Sequence, residues 1–228
     1  MQRQLTITLS PATVQSLYDE TYALYGFTAV RYGPPLAMAR SFGGGHPLVW
    51  LRQTNCLENN IVTFDDGVLG AYISDTPLVE NAVVQVGSTV QTTTGQTISV
   101  AVDGQLTAIA SGSPGVVTIL NTGQTAWTCG LSQTIGVGPA PTCAFPLHGG
   151  SQDMIAPTAK ILVMFAIDSI PQGAAVSTAY SSGFLIDFAS DPQRAVTFDI
   201  DTGWSAGGAT WARAIAPGTD LGSLLITS

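Results

Sequence analysis

The stretch FDIDTGWSAGGATW, residues 198–211, sets two carboxylates, Asp199 and Asp201, beside two tryptophans, Trp204 and Trp211, with small residues between them. Read as a continuing strand, it sends Asp199 and Asp201 to one face and Val196, Phe198 and Ile200 to the other. Paired oxygens suit calcium, but a calcium loop begun at Asp199 needs a bidentate glutamate at its twelfth position. Thr210 stands there, with one neutral hydroxyl. Solvated carboxylates entering a turn are the expectation.

The tryptophans allow a second chemistry. An exposed indole offers a broad apolar face to a sugar ring, and neighbouring carboxylates accept hydrogen bonds from its hydroxyls. Trp204, Trp211, Asp199 and Asp201 are therefore the candidate ligand-binding set. A tryptophan near a turn more often closes a core, with its indole N–H on a nearby carbonyl.

Catalytic motifs are weaker. His46 and His148 lie beside glycines, in FGGGHP and PLHGGS. No GxSxG nucleophile elbow accompanies them, since GLSQT around Ser132 fails at its last position. A serine–histidine–acid set is defined in space rather than in sequence, so this argues against one route only. The single lysine, Lys160, follows Ala159, which rules out a P-loop. Prolines in GVGPAP remove the helix that a dinucleotide fingerprint must open. HExxH and CxxC are absent. No residue is assigned as catalytic or metal-ligating, and no cofactor is implied.

Three cysteines remain. Cys129 and Cys143 flank a segment whose ends could meet in a disulfide. Three small, mostly buried thiols are the simpler expectation in a chain whose start, MQRQLTITLSPATVQ, lacks the apolar run of a signal peptide. That start predicts cytoplasmic synthesis, with release only by a non-classical route. Asp187 in FLIDFA is expected on an outer face with Leu185 and Ala189; if buried, Lys160 or Arg194 would have to pair it.

These residues need a scaffold. RQLTITL alternates as a half-buried strand, and SPATVQSLYDETYALYG changes to a helical period. Ser10 is its cap, Pro11 lies in the first turn, and Val14, Leu17, Tyr18, Tyr22 and Tyr25 share one face before Gly26. Short runs rich in valine, threonine and aromatics follow: FTAVRY, PLVWLRQ, NIVTF, GAYISD, NAVVQV, QTISVAV, QLTAIA, GVVTIL and AWTCGL. Asp103-Gly104 predicts a two-residue hairpin, and Pro114-Gly115 and Thr122-Gly123 predict reversals. ILVMFA is uninterrupted, as in a strand covered on both faces. FLIDFA, AVTFDID and a terminal strand SLLITS complete an all-β, antiparallel sandwich of jelly-roll or Greek-key type. It carries one short N-terminal helix and spans residues 1–228 as a single domain.

Composition limits the partners. The 228 residues are 45% hydrophobic and only 10% charged, with a net charge of −8. An average domain has about 25% charged residues. Six arginines are spread singly, so no basic patch exists for nucleic acid or anionic lipid. No apolar stretch is long enough to be a transmembrane helix. Between residues 81 and 152 the only charged side chain is Asp103. Charged edges are a common defence against strand association, so this region is expected to form an interface in a homo-oligomer. Three functions follow in order: a lectin-like protein binding a glycan, a self-assembling coat-like subunit, and a β-pore-forming toxin using STVQTTTGQTISVAV as a membrane strand.

Overall fold

The computed structural model describes residues 1–33, 44–136 and 138–228. Phe42 and Gly43, in the run before His46, and Val137, between the two later cysteines, lie outside them.

Strand β1 (Gln2–Leu9) leads into helix α1 (Pro11–Asp19). The Ser10 hydroxyl accepts from the Thr13 N–H at 3.1 Å and caps the first turn. The helix ends earlier than its apolar period predicts. Thr21 takes a left-handed φ of 56° and turns the chain, so Tyr22 and Tyr25 belong to strand β2 (Tyr22–Gly33), while Tyr18 is left outside. Helical spacing persisted across a boundary that the left-handed residue sets.

Then come β3 (His46–Pro47), β4 (Leu51–Gln53), β5 (Asn59–Ser74), β6 (Ser88–Thr92), β7 (Gln96–Val100), β8 (Leu106–Ile109) and β9 (Val117–Asn121). They are followed by β10 (Trp127–Ile135), β11 (Gly138–Pro141), β12 (Cys143–Leu147), β13 (Gln152–Ile167), β14 (Gly183–Asp187), β15 (Gln193–Asp199), β16 (Gly203–Ser205) and β17 (Ala212–Ile215). Helix α2 (Leu221–Leu225) and strand β18 (Ile226–Thr227) end the chain.

The strands form two large sheets. One runs β16-β15-β1-β5-β10-β12-β3, with β11 beside β10 and β6 beside β5. The other runs β17-β14-β13-β9-β7-β8, and β2 lies on β13 carrying β4 and β18. The fold is an all-β sandwich, as the turn-punctuated runs predict. Most pairs are antiparallel, but β1–β15, β7–β9 and β18–β2 are parallel.

Several local expectations change. NIVTF and GAYISD fuse into the sixteen-residue β5, while NAVVQV makes only an isolated bridge at Val83. The terminal SLLITS divides: its first half is helix, because Asp220 caps Ser223 and turns Leu221 and Leu225 onto a sheet, and only Ile226–Thr227 are strand. Between β7 and β8 the Ala101 carbonyl accepts from the Gly104 N–H and the Ala101 N–H donates to Gln105, which closes a three-residue loop. Only Gly104 has positive φ there, at 79°, so Asp103 keeps ordinary geometry.

Two core regions fill the space between the sheets. In one, Leu5, Ile7, Val62, Phe64 and Val196 face Ile161, Val163, Phe165 and Phe184. In the other, Leu69, Ile73, Leu131 and Phe145 face Ile98, Val117, Ile119 and Ile155. Leu162, Met164 and Ala166 point the opposite way, against Val176, Leu221 and Leu225. ILVMFA is continuous because a layer of helix and irregular chain covers its outer side. Among the described residues no buried side-chain polar atom lacks a partner.

Candidate functional site

The Asp–Trp stretch crosses from the edge of one sheet to the edge of the other. Phe198 pairs with Trp204 in β15–β16, and the Trp211 carbonyl accepts from Asp187 N–H beside β17. Asp199 and Asp201 do not share a strand face, because β15 ends at Asp199 and Asp201 lies in the turn. Asp199 is that turn's cap: Oδ1 accepts from the N–H groups of Asp201 and Thr202 at 3.1 and 3.2 Å, and Oδ2 from the Thr13 hydroxyl at 3.0 Å. The Thr13 hydroxyl and these N–H groups hold its carboxyl below the usual range. Among the described residues no three histidine, cysteine or acidic side chains gather as a metal site.

Trp204 fills the gap between the sheet edges. Its ring stacks on Phe165 and Phe184 with centroids 5.4 and 5.9 Å away, and its indole N–H donates to the Ser182 carbonyl at 3.2 Å. Trp211 is half-buried, with the Arg194 guanidinium over its ring at 4.7 Å. The four sequence candidates thus occupy one side of the sandwich, with Trp204 committed to packing and Asp201 facing water.

A different group brings a serine hydroxyl to a histidine ring. His46 Nδ1 lies 3.1 Å from Ser177 Oγ, and Ser177 donates both its hydroxyl and its N–H to the Glu80 carboxylate. The order is acid–serine–histidine. In a relay the acid orients the histidine, whereas this carboxylate accepts the serine's hydrogen bonds directly and pins residue 177 to the turn at Glu80. Ninety-seven positions separate Glu80 from Ser177, and no local sequence signal marks either.

No family model, curated protein or solved structure matches this chain. Function therefore has to be read from its own surfaces.

The cysteines are all free. Cys129 and Cys143 lie in the strands β10 and β12, and burial pushes the Cys143 thiol up to about 11. Cys129 instead donates to Asp153 Oδ2 at 3.3 Å, and Tyr32 donates to Oδ1 at 2.6 Å. Burial raises the Asp153 carboxyl above the usual range, against the pull of those two hydrogen bonds. Asp187 is on the outer side as expected, half-buried and 3.6 Å from Lys160 Nζ.

The charge-poor region divides between the sheets. Its wing of β9, β7 and β8 turns Ile98, Val100, Val117 and Ile119 inward. The pairings Thr97–Thr118, Ser99–Leu120, Ser99–Thr107 and Thr97–Ile109 place those side chains together on the outer face, and Gln152 and Met154 of β13 continue it. None carries a charge.

Proposed function

We propose that this chain is a non-enzymatic sandwich subunit that associates with copies of itself through the outer face of the β7–β8–β9 wing. What supports this is the composition of that face: hydroxyls, an amide, Ile109, Leu120 and Met154, without an ion, on a chain of net charge −8. A solvated sheet face normally carries lysine and glutamate, which oppose docking because burying an unpaired ion costs several kcal/mol, of order 2–7 even for a neutral group. Here the apolar members lose water on docking, and Thr97 keeps a local partner in the Ser111 carbonyl at 2.7 Å.

Sedimentation of the wild type and of a Thr107→Lys/Ile109→Lys variant tests it. Both side chains are exposed, so the variant keeps its fold. The wild type should sediment as an oligomer and the variant as a monomer. A wild-type monomer at high concentration overturns the proposal.

A glycan-binding reading of Trp204, Trp211, Asp199 and Asp201 draws on the partial exposure of Trp211 and the open Asp201 carboxylate. A glycan array comparing the wild type with Trp211→Ala tests it, and a wild type that binds no glycan there removes it.

A further inference from the structure

We infer that the cleft between α1 and the segment joining β4 to β5 binds a neutral saccharide, independently of the association face and at a place remote in sequence from the tryptophan loop. The cleft is open and has a volume of about 300 Å³, at the lower end of the usual range for small-ligand sites. It is lined by the buried or half-buried Val14, Leu17, Tyr22 and Cys56 and by the exposed Tyr18 and Asn55, together with the polar side chains of Gln15 and Thr54.

Three features select the ligand class. Tyr18 is 79% exposed, so its aromatic ring is offered to solvent at the cleft. Amides and hydroxyls line the rest, and these groups both donate and accept, which matches the hydroxyls of a sugar. Among the described residues no cation or carboxylate lines the cleft, and the acids nearest in sequence are Asp19, Glu20 and Glu58, so anionic ligands meet no counter-charge and metal ions find no ligand set there.

Cys56 supplies the readout. It is half-buried in the cleft, whereas Cys129 and Cys143 are fully buried, so a small alkylating reagent reports on this site selectively. Iodoacetamide labelling, followed by intact mass, is run with neutral hexasaccharides of glucose, mannose, xylose and N-acetylglucosamine at about 10 mM, enough to occupy a site of millimolar Kd. At least one should slow Cys56 labelling several-fold, and Tyr18→Ala should weaken that protection about tenfold. Asn55→Ala, another exposed position, should weaken it too, and thermal melts confirm that both variants fold. Unchanged labelling with every saccharide, or equal protection in Tyr18→Ala, overturns the inference. Protection that disappears in Trp211→Ala but survives Tyr18→Ala also overturns it, and moves the sugar to the tryptophan loop.

Discussion

Asp153 is a carboxyl whose ionisation burial shifts out of its ordinary range. Its carboxyl sits inside the sandwich between Tyr32 and Cys129, and burial raises its pKa despite both hydrogen bonds. A group raised in the native state adds stability that is complete below its unfolded value, here 3.8, and is lost as pH climbs through the native value. Asp153→Asn removes that dependence. Melting temperatures from pH 4 to 7 should therefore fall less steeply in the variant, and the difference between variant and wild type should move in the variant's favour as pH rises. Parallel curves would contradict this. Thr13 shows the opposite economy: one buried hydroxyl donates to Asp199 and accepts from the Ile200 N–H at 3.3 Å, tying the helix to the loop between the sheets. Thr13→Val keeps the shape but strands that N–H, and should cost about 1–3 kcal/mol in chemical denaturation.

Among the elements, β10 and its antiparallel neighbour β12 approach most tightly at Gly130. Gly130 lies opposite Tyr72, whose hydroxyl donates to the Cys143 carbonyl at 2.7 Å. A Cβ at position 130 would fall inside the contact shell of that carbonyl oxygen, which is backbone and cannot swing aside. Gly130→Ala should therefore destabilise by about 4 kcal/mol or more, at the upper end for single substitutions, and lower the melting temperature accordingly. Nothing in TCGLS distinguishes this glycine from a turn glycine, because the constraint comes from a strand thirteen residues later. Helix α2 is similar. Its last three residues open the strand-like run SLLITS, yet the Asp220 cap and the apolar bed under Leu221 and Leu225 make them helical.

For the whole molecule, the distribution of charge separates two surfaces. Every ion pair among the described residues lies outside residues 81–152, at Asp65, Asp66, Asp168, Asp187 and Asp191. An oligomer held by the uncharged wing has no interfacial ion pairs for salt to screen, while subunits of charge −8 repel each other. Raising sodium chloride from about 0.05 to 0.5 M, which shrinks the Debye length to a few ångströms, should leave the association constant unchanged or strengthen it. Dissociation in salt, followed by light scattering, would show that ionic contacts hold the subunits.

The residue patterns alone determined the strand-rich class, the Ser10-capped helix, the doubly covered ILVMFA run, the outward Asp187 and the charge-poor middle. Each follows from local periodicity or composition, which the chain carries wherever it folds. Tertiary structure decided the rest. Trp204 became a plug because two sheet edges approach it, Asp199 became a turn cap because Thr13 comes within reach, and Glu80 met Ser177 across the irregular layer. Tyr18 and Cys56 came to face one cleft because Thr21 bent the chain between helix and strand. Such neighbours are set by which strands pair, and pairing depends on contacts between segments far apart in sequence, where no short pattern records the distance.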